Sequence, residues 1–415
     1  MGYANTRAVG ASEGFWLMQR TPTMHAMSSH AGRGRGPRVP LSTAAWSVVG
    51  IAGWVGLVSI AAQLAAMVPP RAGDDLRLLI EAATRWRGGA TLYTAVGASS
   101  SLVAEGLFYS YPPLVAQVLV PLTALPFGIV LGGWAVGAAA GLATVAHRFG
   151  RMGRSVTLPA VALAAFVYPF AIAALFGNLN AWFPLLFGLV LLAVLSPGRG
   201  SAVAGGVGLA VASAAKLHPA TLGLWLLARR WRDGPAGPSG RILAVAIASG
   251  LGLLAASLLV GGAGPWADYV AFLRSGAVQA DLVSPLNIGP ASQIALALGL
   301  SEAAARTIQV PIALAALATT VAAGRLLEDP VASFGVATIA SLVVLPVTWF
   351  HYPVALLPVA IAAAARAEQA ARPATVAALV AAVVAAGLAI VAPVVVWIAA
   401  AFVLLAVHVS RPRTV

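Results

Sequence analysis

The chain has 415 residues, 60% hydrophobic and 9% charged, with a formal net charge of +13 and no cysteine. A soluble domain carries about 25% charged residues, so this composition excludes an ordinary water-soluble fold, and the missing cysteines exclude disulfides. The basic residues stand in short clusters beside apolar runs, the pattern that orients a membrane protein, and no basic groove with interleaved aromatics is offered to nucleic acid.

Residues 1–42 are polar, rich in Gly, Ser and Arg, and without periodicity. They read as a disordered cytoplasmic tail. They are not a cleavable signal, because the apolar run that follows starts too late and is too long. That run, Thr43 to Val68, contains one strongly polar side chain, Gln63. A bilayer core takes about 20 apolar residues per helix, so the run is expected to be an uncleaved anchor. Residues 69–110 form a first outer loop. Within it Leu76, Leu79, Ile80 and Ala83 follow helical spacing, which predicts a short amphipathic helix from Asp75 onward at the membrane surface.

Further apolar runs lie at 112–146 (with Pro121 and Pro126 inside), 155–175, 179–196, 201–215, 217–228, 241–261, 303–323, 333–349, 352–365, 374–391 and 392–409. With the first they give about 12 helices, several too short to cross alone. None shows the period-2 alternation of an outer-membrane barrel. The expected fold class is therefore all-α and integral to the membrane, a multi-helix bundle over 43–409 with a second outer loop at 262–302 and a cytoplasmic tail at 410–415. Charge sets the sidedness. The N-terminal tail, the clusters at Arg148 to Arg154 and Arg229 to Arg241, and the C-terminal tail are net basic, while 69–110 and 262–302 are neutral to acidic. Both termini are thus expected in the cytoplasm of a multi-pass cell-membrane protein. This topology sends four polar features outward: the Asp74–Asp75 loop, the turn from Phe176 to Trp182, the 262–302 loop, and the turn from Trp349 to Tyr352.

Several residues in these features have two readings. Asp74 and Asp75 suit either the first turn of a helix, where the dipole favours a carboxylate, or a general base. Lys216 is the only lysine in the chain and stands in an apolar stretch, GLAVASAAKLHP. It is either a phosphate-binding cation with His218 beside it or a side chain snorkelling to the interface. His351, between Trp349 and Tyr352, is a phosphate contact or proton-transfer partner, or part of an aromatic belt. Asn178 and Asn180 suit a turn or sugar hydroxyls. Tyr109 and Tyr111, in FYSYPP, anchor at the interface or line a sugar site. There is no GxGxxG fingerprint after a strand, no P-loop, no HExxH and no cysteine cluster, so neither a nucleotide cofactor nor a metal site is expected.

In order, these motifs resemble glycosyltransferase family 87, the bacterial polyprenyl-phosphate-mannose-dependent enzymes that include the α-1,2-mannosyltransferase of phosphatidylinositol-mannoside synthesis. The family's Asp, helix and Gly-x-x-Leu-Tyr element reads DLRLLIEAATRWRGGATLY from Asp75 to Tyr93. Its Phe-x-Tyr-Pro-Pro element follows at Phe108 to Pro113, with one extra residue. Its Gly-Gln-x-Asn turn is Gly177, Asn178, Leu179, Asn180. Its Gly…Lys-x-x-Pro element with a basic-Trp end runs from Gly208 through Lys216 and Pro219 to Arg229, Arg230 and Trp231. Its Ser-Pro-x-Ser-Trp-x-His-His element falls on Leu345 to Tyr352. The chain departs from the pattern at Asn178 for Gln, Leu79 for Tyr, and Tyr352 for the second His.

The resemblance implies a type C glycosyltransferase fold and an inverting transfer at the extracytoplasmic face, within cell-envelope lipoglycan synthesis. A β-linked mannosyl polyprenyl phosphate is the implied donor and a glycolipid or glycan the acceptor, with no cofactor. By position the base falls on Asp75. Lys216, His351 and His218 would stabilise the departing phosphate, with Asp74, Tyr111, Asn180 and Trp349 also at the substrates. Some relatives transfer arabinofuranose from decaprenyl phosphate, an alternative that the residues leave open. A transporter or lipid flippase would show repeats between its halves; none is apparent, and Asp75 sits in a surface loop. A non-catalytic membrane scaffold would leave Asp75 replaceable.

Overall fold

In the computed structural model of the protein, the described residues are 72–93, 108–152, 167–234, 237–275, 282–370, 373–389 and 391–411. The predicted tail at 1–42, the anchor at 43–68 and the last four residues lie outside them. Among the described residues the regular structure is helical: α1 (Asp74–Arg87), α2 (Pro113–Leu119), α3 (Phe127–Met152), α4 (Val167–Leu175), α5 (Phe183–Leu195), α6 (Arg199–Ala215), α7 (Thr221–Asp233), α8 (Pro238–Gly261), α9 (Gly264–Arg274), α10 (Pro290–Leu298), α11 (Glu302–Leu326), α12 (Pro330–Val343), α13 (Leu357–Ala370), α14 (Pro373–Leu388) and α15 (Val396–Val409). Proline marks many of the starts. Pro113, Pro184, Pro238, Pro290 and Pro330 all stand in a first turn, where the missing N–H costs nothing.

Among the described residues three segments are long and apolar enough to cross a bilayer: Phe127–Gly150, Pro238–Gly261 and Glu302–Leu326. At 24 to 25 residues each spans about 36 Å, against a hydrocarbon core of about 30 Å. Their outer faces are apolar. Val136, Leu251, Leu259 and Leu314 are each more than 60% exposed, a surface that suits lipid and not water. Six further apolar segments are shorter than 18 residues. The expected first span, 43–68, and residues 155–166 of another lie outside the described residues, so these segments are not a count of the whole chain.

The run at 112–146 is not one helix. It breaks into α2, a 3₁₀ segment at Val120–Ala124, and α3. Pro121 removes a donor within the run, and Leu125, just before Pro126, is extended (φ −99°, ψ 150°), as a residue preceding proline prefers. The 262–302 loop likewise folds into α9 and α10. The amphipathic helix appears as α1. Leu76, Leu78, Leu79, Ala82 and Ala83 are buried along it, and that face packs on Tyr109, Val115, Ala116 and Leu119. Its apolar stripe is thus covered by protein.

The main core lies between α5, α7, α12, α13, α14 and α15. At its centre the fully buried Trp225 donates its indole N–H to Ser333 Oγ at 2.8 Å. Helices α7 and α11 cross there at Gly324, where a Cβ would stand 2.6 Å from the Trp225 carbonyl oxygen. Helix α12 ends at Val343. The Gln309 side-chain amide, from α11, donates to the carbonyls of Val343, Val344 and Leu345 at 3.1–3.2 Å, so orphan acceptors of the helix end are met by a neighbouring helix.

An ionic cluster ties the opposite end of α12 to the C-terminus. Asp329, the N-cap of α12, accepts from Val331 N at 2.9 Å and takes a two-pronged bond from Arg366 at 2.7 and 2.8 Å. Arg411 lies 3.3 Å away. Burial alone would raise the Asp329 carboxyl, but the Arg366 bond and charge, the Val331 amide and Arg411 together hold it below the usual carboxylate value. The ionised form is therefore favoured by folding, and its contribution is present above the unfolded-state value and lost as pH falls through the lowered native one. Asp329→Ala is expected to cost about 1–3 kcal/mol, through the lost cap and the stranded arginines. Thermal unfolding in detergent against pH checks this: the wild-type advantage should vanish at acid pH.

Candidate functional site

Asp75 is placed by backbone contacts between the start of α1 and the turn after α4. Gly73 N donates to Leu175 O at 2.9 Å, and Leu76 N to Phe176 O at 3.1 Å. The turn is built on Gly177, whose φ is +69°. A side chain there is strained, and a Cβ would stand within 2.4 Å of Leu76 Cβ. Gly177→Ala is thus expected to push α1 off the turn and to lower both thermal stability and activity, by about 2 kcal/mol in stability; melting and activity measured side by side check this. Next in the turn, Asn178 Nδ2 donates to Asp75 Oδ2 at 2.7 Å, while Asn178 Oδ1 accepts from Asn180 N at 2.8 Å. Burial raises the Asp75 carboxyl above its ordinary value; the Asn178 bond and the charge of Lys216 pull it partly back, and Asp74 raises it again.

Lys216 follows directly on α6. Continuing the helix through Pro219 would drive its ring into the carbonyl of residue 215. The helix instead stops at Ala215, with Lys216 extended (φ −144°, ψ 145°) and its amide donating to Ala212 O. A 3₁₀ turn at His218–Ala220 then leads into α7. His351 is placed by the residues just before α10. Asn287 Oδ1 accepts from Thr348 N at 2.8 Å, Ile288 N donates to Thr348 O at 2.8 Å, and Asn287 pairs with Trp349 in a backbone bridge. A tight turn, Tyr352 N to Trp349 O at 2.9 Å, then sets His351 ahead of the 3₁₀ segment at Tyr352–Leu356. That segment packs against the 3₁₀ turn of Leu179–Trp182. The four polar features of the sequence are thereby joined.

What they enclose is a set of buried polar groups without partners. Lys216 Nζ, both ring nitrogens of His218 and of His351, and both side-chain heteroatoms of Asn180 lie buried without a hydrogen bond. The Lys216 ammonium lies 4.1 Å from the centroid of the Tyr352 ring and 5.5 Å from that of Tyr111. The Tyr352 ring lies nearly parallel to His218 at 6.3 Å and edge-on to His351 at 5.1 Å. Lys216 is within electrostatic reach of Asp75, His218 and His351.

Most of the residues picked from the sequence are therefore neighbours: Asp75, Tyr111, Lys216, His218 and His351 directly, and Asn180 through its turn. Asp74 stands beside Asp75 and acts on it by charge. Trp349 enters through its backbone bridge to Asn287. Three residues gain a role that the sequence did not assign. Asn178 grips the Asp75 carboxylate, Tyr352 lies at the centre of the cation and the histidines, and Asn287 organises the loop. The signal for the first two was their departure from the family's Gln and His; nothing in the sequence singled out Asn287. Among the described residues no group of three His, Cys, Asp or Glu could hold a metal ion.

Buried unpaired polar atoms cost about 1–3 kcal/mol each, and a buried unpaired charge costs more. Such a cluster holds unmatched donors and acceptors that a ligand can satisfy. Comparison with curated proteins and with solved structures gave no match. The model of glycosyltransferase family 87 matches residues 109–348, a stretch that holds Tyr111, Asn178, Asn180, Lys216 and His218 and stops short of Asp75 at one end and His351 at the other. With more than half of its length matched, and a buried site of this kind within and beside the match, the chain belongs to glycosyltransferase family 87.

Proposed function

We propose that the protein transfers mannose from a polyprenyl-phosphate carrier, with inversion, to a hydroxyl of a lipid or glycan acceptor on the extracytoplasmic face of the cell membrane. One observation carries this reading: a buried ammonium and two buried imidazoles, all without partners, stand next to a carboxylate whose affinity for protons is raised. A glycosyl phosphodiester supplies what they lack. Its phosphate oxygens accept from Lys216 Nζ and the imidazole N–H groups, and sugar hydroxyls serve the remaining nitrogens and Asn180.

In the proposed reaction Asp75 takes the proton of the acceptor hydroxyl as that oxygen attacks the anomeric carbon. The bond from that carbon to the phosphate oxygen breaks, and its electrons leave with the carrier phosphate. Charge therefore builds on the phosphate, where Lys216 stands in a water-poor setting and its field is strong. The carrier's tail stays in the bilayer, so the donor arrives already concentrated beside the site. The exposed apolar faces of α3, α8 and α11 and the basic bias of the segments assigned to the cytoplasm support a multi-pass topology with both termini inside.

The test offers membranes containing the protein radiolabelled polyprenyl-phosphate mannose, decaprenyl-phosphate arabinofuranose, or a nucleotide-linked mannose, and follows label into lipid and glycan fractions. Transfer from the first donor alone is the expected result. Label from the arabinofuranose donor alone would move the assignment to that sugar. Transfer from none of the three, with the protein folded and present, would sink the reading.

A further inference from the structure

Lys216 and Asp75 are groups of opposite charge type within electrostatic reach of each other, yet no hydrogen bond joins the ammonium nitrogen to the carboxylate. In surroundings poor in water the attraction between such charges is large, and collapse into a pair would leave the cation less free for a phosphate and the carboxylate a weaker base. Some contact must hold the ammonium elsewhere. The closest ring to it is Tyr352, at 4.1 Å, with Tyr111 at 5.5 Å. The face of an aromatic ring carries partial negative charge and holds a cation without neutralising it. Tyr352 has a second effect from the same place, since it lies against His218 on its face and His351 at its edge.

We propose that Tyr352, assisted by Tyr111, is a positioning residue that keeps the Lys216 ammonium apart from the Asp75 carboxylate. The cation is thereby left open to a donor phosphate and the carboxylate to an acceptor proton. This rests on the function proposed above and adds to it the device that keeps the two groups from cancelling. The phenolic oxygen is not needed for it; the ring is.

The groups that bear on Asp75 are Asp74 from its own helix, the Asn178 amide, Lys216, and the Tyr111 and Tyr352 side chains. Of these Lys216 is the cation. If the Tyr352 ring is lost and Lys216 closes on Asp75, the carboxylate is stabilised as the anion and gives up its proton more easily. The acid limb of the rate profile then moves to lower pH, while affinity for the donor falls. A merely structural role for Tyr352 would lower activity without moving that limb.

The experiment measures transfer from polyprenyl-phosphate mannose across pH for wild type, Tyr352→Phe and Tyr352→Leu. Tyr352→Phe keeps the ring and should hold donor KM within about twofold, with the acid limb in place. Tyr352→Leu should raise donor KM about tenfold and shift the acid limb downward. Tyr352→Met, also unbranched at Cβ and without a ring, carries the same test if the Leu variant does not fold. A Leu or Met variant with wild-type KM and acid limb overturns the proposal, as does a Phe variant as impaired as either. Lack of turnover by the wild type removes the enzymatic reading itself, and this proposal with it.

Discussion

Asp75→Asn is expected to lower turnover by about a thousandfold while the protein melts at or above the wild-type temperature. A general base contributes about 10²–10⁴ in rate, and the amide cannot take a proton from the acceptor. The fold has little reason to suffer. Asn is isosteric, it can still accept from Asn178, and it removes a carboxylate whose ionisation burial opposes. The wild-type profile carries the matching signature. Below the raised value of Asp75 the base is protonated and idle, so kcat/KM falls on the acid side at a pH above the ordinary carboxylate range. Asn178→Ala removes a bond that favours the anion, which moves the midpoint further up. Lys216→Met removes a favourable charge and moves it the same way. Turnover unchanged in Asp75→Asn, or an acid limb that ignores Asn178, would remove the carboxylate from the chemistry.

Lys216→Met separates function from stability in the opposite sense to a core mutation. The side chains are similar in length, and the ammonium is buried without a hydrogen bond. Its removal should therefore leave the melting temperature unchanged or raise it, as happens when a site built for a ligand loses a group that is strained without one. Transfer should fall by about 10²–10³, the cost of losing one preorganised group that meets developing charge, and donor KM should rise with it. Activity at several donor concentrations, read beside thermal unfolding in the same detergent, decides the matter. A fall in melting temperature that tracks the loss of activity would make Lys216 a structural residue.

The parts of this architecture that could be read in advance were those written in local chemistry. Apolar runs gave α6, α8, α11 and α14 to within a few residues, and Lys216 stood just past the end of the run at 201–215. The break between α2 and α3 was harder, because two prolines within an apolar run are tolerated in membrane helices when neighbours satisfy the backbone. The helices inside 262–302 were missed because the segment is short of long apolar runs, and their register comes from packing: Tyr269 and Phe272 of α9 stack on Tyr93. At the site, Lys216 and His351 stood out as a charge and a ring out of place, while Asp75 was picked out by the family resemblance. Tyr352 was marked only as a departure from the family's second His, and its position under the ammonium gives that departure meaning.

The Gln309 amide that closes the end of α12 bears on how a lipid meets this protein. With 14 residues, α12 is about 21 Å long, well short of a crossing. A helix end leaves carbonyls without partners inside the helix. The side-chain amide of Gln309, from α11, reaches the carbonyls at and just past that end, sharing its two hydrogens among Val343, Val344 and Leu345. The chain is then free to turn directly after α12 and to place His351 against the 3₁₀ segment at Tyr352–Leu356. On the proposed function, a carrier phosphate would reach that histidine by moving sideways from the bilayer, with its polar head sinking into a notch and its isoprenoid tail staying among the fatty acyl chains.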